Sequence, residues 1–223
     1  METPILELKE IGVIAKDGVI VRNINLSVPK GELIALIGES GSGKSTVLRV
    51  IAGWEKPSIG HVLMTLGDKQ VDITDVPINE RDIHLMPPNY ELFRNMNAIK
   101  NISYGLKRQE LTVGEVNEQV LTLIKELELN GYEYRYLPDL SSGQQQRIAF
   151  ARTIIGKPSI LLLDEPFSAL NDRLCAIMQN IIKRYQEQYG MTVIYTTHNK
   201  KAAREFSDEV LTMEGGELSG NKN

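Results

Sequence analysis

Glu32-Leu33-Ile34-Ala35-Leu36-Ile37-Gly38-Glu39-Ser40-Gly41-Ser42-Gly43-Lys44-Ser45-Thr46 is an apolar run of strand length that breaks into a glycine-rich turn and then into a helical pattern. Val47, Val50 and Ile51 follow at the spacing of one buried helix face, and Gly53 stands where such a helix stops. Gly38-x-x-x-x-Gly43-Lys44-Ser45 has the G-x-x-x-x-G-K-[ST] form, in the strand-to-helix setting that a phosphate-binding loop requires. Each residue type has its own task. The glycines let the backbone curl until successive N–H groups across residues 38–43 converge on phosphate oxygens. A helix starting near Gly43 adds its positive dipole end. Lys44 brings a mobile cation to the β- and γ-phosphates, the Ser45 hydroxyl can ligate Mg²⁺, and Thr46 closes the stretch.

Working outward, the N-terminal runs ILEL (5–8), GVIV (18–21) and INLSV (24–28) alternate with turn residues at Asp17-Gly18 and Pro29-Lys30-Gly31. They predict an antiparallel β region. On the C-terminal side, SILLLD (159–164) is a continuous apolar run, the pattern of a parallel strand covered on both faces. It ends in Asp164-Glu165, at the sheet edge where open α/β folds bind ligands. There Asp164 would hold Mg²⁺, directly or through water, and Glu165 would polarise the attacking water as a general base.

Residues 172–189 predict a helix with Leu174, Ile177, Met178, Ile181, Ile182 and Tyr185 inward, ended by Gly190. MTVIYTTH (191–198) is a further buried strand, and EVLTMEGGEL (209–218) a hairpin turning at Gly215-Gly216. Between these strand-rich parts, Thr112-Val113-Gly114-Glu115 is a capping box, followed by Val116, Val120, Leu123, Ile124 and Leu127 at helical spacing. The alternation predicts an α/β fold, a P-loop NTPase core with a mainly parallel sheet, an N-terminal antiparallel β region and an inserted helical lobe. We expect one domain over residues 1–223, with residues 1–87 and 156–223 as core and about 88–155 as the lobe.

Composition bounds the function. With 42% hydrophobic, 24% charged and 6% aromatic residues the chain is of ordinary globular type. No apolar run reaches the roughly 20 residues of a membrane span, and the N-terminus METPILELKE lacks the pattern of a signal peptide. A net charge of −4 argues against a large nucleic-acid surface. The single cysteine, Cys175, forms no internal disulfide; it lies in an apolar helical stretch, where we expect it buried, and it fits a reducing compartment.

The family is indicated by Leu140-Ser141-Ser142-Gly143-Gln144-Gln145-Gln146-Arg147, then the acidic strand end, then Phe167-Ser168-Ala169-Leu170-Asn171, then His198. This ordered set resembles the signature, Walker B, D-loop and switch histidine of the ABC ATPases, and the resemblance covers nearly the whole chain. It implies that two copies, most simply a homodimer, pack head to tail around two ATP molecules. Ser141, Ser142, Gly143 and Gln144 of one copy would meet the γ-phosphate held by the other copy's P-loop. His198 would contact that phosphate and orient the water with Glu165. The stretch from Asn89 to Leu106 is similar to the importer branch, where it docks a short helix of a membrane-embedded permease. An external substrate-binding protein and a place on the cytoplasmic face of the membrane follow from the same resemblance. Because the sequence stops soon after the C-terminal hairpin, we expect no appended regulatory domain of the kind some relatives carry.

Four positions depart from the pattern. Pro88 stands at the Q-loop glutamine and brings neither side-chain amide nor N–H. Ala15 stands where an aromatic residue stacks on adenine, and no aromatic precedes Trp54; base stacking is worth roughly 1–3 kcal/mol in another context. Ser142 replaces a signature glycine, and Asn171 the D-loop aspartate. Two other roles compete with this one. A soluble ABC ATPase of DNA repair, chromosome structure or translation usually carries coiled coils, zinc-binding cysteines or a second cassette, none of which is present. A low-turnover regulatory subunit fits Pro88 and Ala15 but not the intact Glu165 and His198.

Overall fold

The computed structural model describes residues 3–16 and 18–220. Two long strands, β1 (Leu6–Ala15) and β2 (Gly18–Val28), form an antiparallel pair. The expected short runs are therefore parts of longer strands. The polar interruptions are bulges: Glu10 and Asn23 adopt left-handed backbone (φ 53° and 43°), and the register shifts between Leu8 and Ile11 and again to Val13. A bulge strengthens twist and bends the strand without ending it. The Glu10 N–H is taken up by the Asn25 side chain at 3.0 Å.

β3 (Leu33–Ile37) leads into the glycine turn and α1 (Lys44–Ala52), which stops at left-handed Gly53. Three strands that the sequence did not announce follow: β4 (Ile59–Leu66), β5 (Lys69–Asp72) and β6 (Ile83–Met86). β4 and β5 complete a four-stranded antiparallel sheet of order β2-β1-β4-β5. Then come α2 (Ala98–Ser103), α3 (Val113–Glu126) and α4 (Ser142–Ile154). The boundary read from capping logic holds, with Thr112 and Glu115 capping α3 reciprocally; Ser141 and Gln144 form a second such box at the start of α4.

The chain continues through β7 (Ile160–Leu163), α5 (Asp172–Tyr189), β8 (Thr192–Thr197), α6 (Lys200–Phe206) and the hairpin β9 (Glu209–Glu214) and β10 (Glu217–Gly220). The second sheet has order β10-β9-β3-β8-β7-β6, parallel except for edge strand β10. Its residues alternate between two cores. Leu33, Ala35, Leu161, Leu163 and Val193 join the helices on one face, with Phe150 of α4 fully buried there. Ile34, Leu36, Ile160, Leu162 and Ile194 join α1 and the antiparallel sheet on the other. The two sheets also meet at a turn, where Arg22 N–H donates to the Gly216 carbonyl at 2.8 Å. On α5, Met178, Ile181, Ile182 and Tyr185 are buried; Leu174, Ile177 and Cys175 are only half-buried, a correction to the expected inward set.

Candidate nucleotide-binding site

β3, β8 and β7 are neighbours in the sheet, and their C-terminal ends deliver three candidate groups to one edge. Ile37, the residue before the glycine turn, pairs with Thr197, the residue before His198. Leu163, before Asp164-Glu165, pairs with Tyr195.

In the glycine turn the Lys44 ammonium folds inward and donates to the carbonyls of Gly38 and Glu39, both at 2.8 Å, with Ser42 Oγ at 3.5 Å. The lysine is 7% exposed, so its charge is concentrated inside the loop. Gly38 has φ 156°, and a Cβ there would lie 2.3 Å from the Met213 carbonyl oxygen, so no side chain fits. Ser45 and Thr46 lie half-buried in the first turn of α1. A cleft of about 470 Å³ opens beside the loop, lined by residues 38–42, His198, Lys200 and residues 212–215.

Asp164 is 3% exposed and accepts from Thr196 Oγ1 at 2.6 Å. The same hydroxyl oxygen accepts the Glu165 N–H at 2.9 Å, so Thr196 ties both acids to β8. Glu165 has left-handed backbone at φ 51°, unusual for a residue with a side chain and costing about 1–2 kcal/mol. Both of its backbone groups are held: Thr196 takes the N–H, and Gln146 Nε2 donates to its carbonyl at 3.1 Å. Strain persists where the surroundings over-determine it, and here it aims the carboxylate at His198, whose Nδ1 lies 3.3 Å away.

Gln146, fully buried on α4, also donates to Ser168 Oγ at 3.3 Å and accepts from Ala169 N–H at 3.2 Å. The signature helix is thereby stitched to the D-loop. The phenol of half-buried Tyr90 is pushed up by burial. The Tyr90 and Glu91 carbonyls accept from Arg152 of α4 at 2.7 and 2.9 Å. Pro87 beside them is buried, while Pro88 and Asn89 are exposed.

The signature residues lie elsewhere. None of residues 141–144 lines the cleft beside the glycine turn. Ser141 Oγ accepts from Gln144 N–H at 3.3 Å and Gln144 Oε1 from Ser141 N–H at 2.8 Å. That reciprocal cap uses the N-cap and third N–H groups of α4 and leaves those of Ser142 and Gly143 directed out of the helix start. Asn171 caps α5 by accepting from Leu174 N–H at 3.0 Å, a task asparagine and aspartate perform equally. Burial pushes the Cys175 thiol up, and its sulfur rests near the Phe167 and Leu170 carbonyls at 4.0 and 3.9 Å. Ala15 ends β1, exposed and paired with Gly18; Asp17 lies outside the described residues.

Residues 21–168, from β2 to the D-loop, match the family model described as ABC transporter. The chain belongs to the ABC transporter family. It is 40% identical over 213 residues to the Fe(3+) ions import ATP-binding protein FbpC of Photorhabdus laumondii, covering 96% of this chain and 60% of that protein. It is 39% identical over 214 residues to the spermidine/putrescine import ATP-binding protein PotA of Lawsonia intracellularis, covering 96% and 57%. The chain thus spans about three fifths of the length of these curated relatives. Among solved structures, the ATP-binding cassette MJ0796, a dimer in a post-hydrolysis state bound to ADP and Pi, matches with a TM-score of 0.86 at 28% identity. That match covers 98% of this chain and 99% of the cassette.

For an ABC transporter chain, the residues whose roles the motifs do not show are the ones that hold the motifs in place: Thr196, Gln146 and Arg152. Two left a trace in the sequence. Thr196 is a polar residue near the end of a buried strand, and Gln146 is a polar residue on a helix face otherwise occupied by Phe150 and Ile154. We expect Thr196→Val to lower unfolding stability by about 1–3 kcal/mol, since it leaves the Glu165 N–H without its acceptor. Thr196→Ser should recover most of this; denaturant titration of both variants is the check.

Proposed function

We propose that the chain binds ATP with Mg²⁺ and hydrolyses it, working as a head-to-tail pair that powers a membrane importer. The observation that carries this reading is the split of the site. Neighbouring strand ends carry the glycine turn, Asp164-Glu165 and His198, and His198 lines the cleft beside that turn, while the outward N–H groups at the start of α4 stand apart from it. A helix start with free N–H groups is an anion site, and a second copy is the natural source of the anion.

Within the pair, residues 38–46 hold the phosphates, Glu165 takes a proton from the attacking water, and His198 orients Glu165 and contacts the γ-phosphate. Ser141, Ser142, Gly143 and Gln144 complete the partner's site. The donor set suits Mg²⁺, an oxygen-seeking ion that uses one or two protein ligands besides nucleotide phosphates. Asp164 offers a buried carboxylate with Oδ1 already oriented by Thr196, and Ser45 offers a hydroxyl in the first turn of α1. Bound there, Mg²⁺ would offset the negative charge of the phosphates.

The importer role is supported by relatives named for two different cargoes, iron and polyamines, which share ATP binding. No helix among the described residues is long and apolar enough to cross a membrane, so membrane work requires permease partners, with the chain on the cytoplasmic face. A docking place for a permease helix is the cleft of about 760 Å³ lined by Trp54, Phe93 and Tyr104 and edged by Lys107, Arg108 and Arg152. The Phe93 and Tyr104 rings pack at 4.6 Å, and Arg152 stacks on Phe93 at 5.2 Å. Arg152 also holds the Tyr90 and Glu91 carbonyls, so a helix pressed into this cleft touches the turn that follows Pro88. An external binding protein would choose the cargo. The extent of a separate helical lobe, about residues 88–155 within one domain, belongs to this same proposal.

Two measurements test the reading: ATP binding by the purified chain, and co-purification with transmembrane proteins from membranes of its own cells, compared with a Tyr104→Asp variant. Binding and co-purification by the wild type, with co-purification lost in the variant, are expected. Absence of ATP binding would sink the motor; co-purification unaffected by Tyr104→Asp would move the permease contact elsewhere.

A further inference from the structure

We infer that Thr196 is a positioning residue of the reaction, one whose single hydroxyl sets both acids at the sheet edge. The inference rests on the roles proposed above for Asp164 and Glu165. Thr196 is fully buried near the end of β8. Valine would fill the same space and bring no polar group to bury. The hydroxyl is therefore explained by its bonds.

Those bonds have only one possible direction. The Glu165 N–H can only donate, so Thr196 Oγ1 accepts it, at 2.9 Å. The one hydroxyl hydrogen is then left for Asp164 Oδ1, at 2.6 Å, the length of a charge-assisted bond. Two bonds in series thus run from the backbone of the base to the carboxylate assigned to Mg²⁺, and each polarises the other. Strand register puts the groups together: Leu163 pairs with Tyr195, so Asp164 comes beside Thr196. The next residue, Thr197, spends its hydroxyl oxygen on the Asn199 N–H at 3.1 Å instead.

What the hydroxyl holds is what the chemistry needs held. The Asp164 side chain has no other hydrogen-bond partner among the described residues, so Thr196 sets its rotation and leaves Oδ2 unengaged by protein. Glu165, in left-handed backbone at φ 51°, is gripped twice by the end of β8. Thr196 takes its N–H, and His198, two residues on, meets its carboxylate at 3.3 Å. Removing the hydroxyl frees Asp164 and one of the two backbone holds on Glu165; the other, from Gln146, remains. Lys44 and the glycine turn are bonded to each other and not to Thr196. The effect should therefore fall on metal and turnover, not on ATP binding without metal.

The test compares Thr196→Val, Thr196→Ser and Thr192→Val with the wild type. Thr192 is the control: fully buried at the other end of β8, it accepts the Gly31 N–H at 2.8 Å, so valine there also strips an acceptor from a backbone N–H. Thr196→Val is expected to lower kcat about ten- to a hundredfold, the usual scale for a group that orients a metal-binding carboxylate. ATP binding in Mg²⁺-free buffer with chelator, read by equilibrium dialysis, should change less than about twofold. Mn²⁺ serves as the metal probe, its free-ion signal followed by electron paramagnetic resonance with ATP present in a Glu165→Gln background that blocks turnover. Its affinity should fall about tenfold with Thr196→Val. Thr196→Ser should restore most of kcat and Mn²⁺ affinity, and Thr192→Val should lower stability while leaving both unchanged. Unchanged kcat or Mn²⁺ affinity in Thr196→Val, or an equal kcat loss in Thr192→Val, overturns the inference and leaves the nucleotide site standing. A wild-type chain that binds no ATP overturns the underlying reading and this inference with it.

Discussion

Glu165→Gln is expected to lower Mg²⁺-dependent ATP turnover by about 10²–10⁴, the usual scale for removing a positioned general base. The substitution isolates proton acceptance. Glutamine keeps the size of the side chain, and the strained backbone is held by groups the change does not touch, Thr196 on the N–H and Gln146 on the carbonyl. Nucleotide binding is therefore expected to persist. In a head-to-tail pair that closes on ATP, blocked hydrolysis should trap the closed form, so light scattering should find an ATP-dependent dimer in the variant. Wild-type turnover in Glu165→Gln would assign the base to another group, with His198, 3.3 Å from Glu165, as the next candidate.

Lys44→Ala is expected to weaken ATP binding at least about a hundredfold, because a buried ammonium makes more than one charge-assisted hydrogen bond, each worth about 1.5–3 kcal/mol. Stability should change little. The Gly38 and Glu39 carbonyls that Lys44 satisfies lie on a turn where Glu39 is exposed, so water can replace the ammonium. Lys44→Arg is not expected to rescue binding, because the guanidinium fork is larger than the space an ammonium fills. Gly38→Ala makes a useful contrast: it removes no charge, yet its Cβ would collide with the Met213 carbonyl at 2.3 Å and force the loop out of shape. Isothermal titration with thermal melts on all three variants separates loss of charge from loss of shape. Unchanged ATP affinity in Lys44→Ala would place the nucleotide elsewhere.

The departures from the family pattern become physical statements in the structure. Asn171 serves as the cap of α5, so its missing charge costs the local fold little. Ser142 occupies the first turn of α4 and retains a backbone donor. Pro88 is different, since no amide replaces the glutamine at that exposed position. Two residues on, the Tyr90 and Glu91 carbonyls are held by Arg152 of α4.

By itself the sequence determined whatever depends on a few consecutive residues. The glycine turn between β3 and α1, the capping box at Thr112, the helix stops at Gly53 and Gly190 and the hairpin at Gly215-Gly216 all lie where turn chemistry and periodicity put them. Such signals are local because a cap or a glycine acts within one turn of its own position. Tertiary structure decided the rest. β6 is four residues long and interrupted by His84, too short for alternation to reveal, and it exists because β7 pairs with it. The bulges in β1 and β2 look like chain breaks until the partner strand carries the register through them. Only the order β3-β8-β7 brings Lys44, His198 and Glu165 to one edge. The bonds that aim Glu165 come from residues 19 and 31 positions away. No window along the chain holds both partners of such a bond; packing alone chooses among the distant polar groups that could have met.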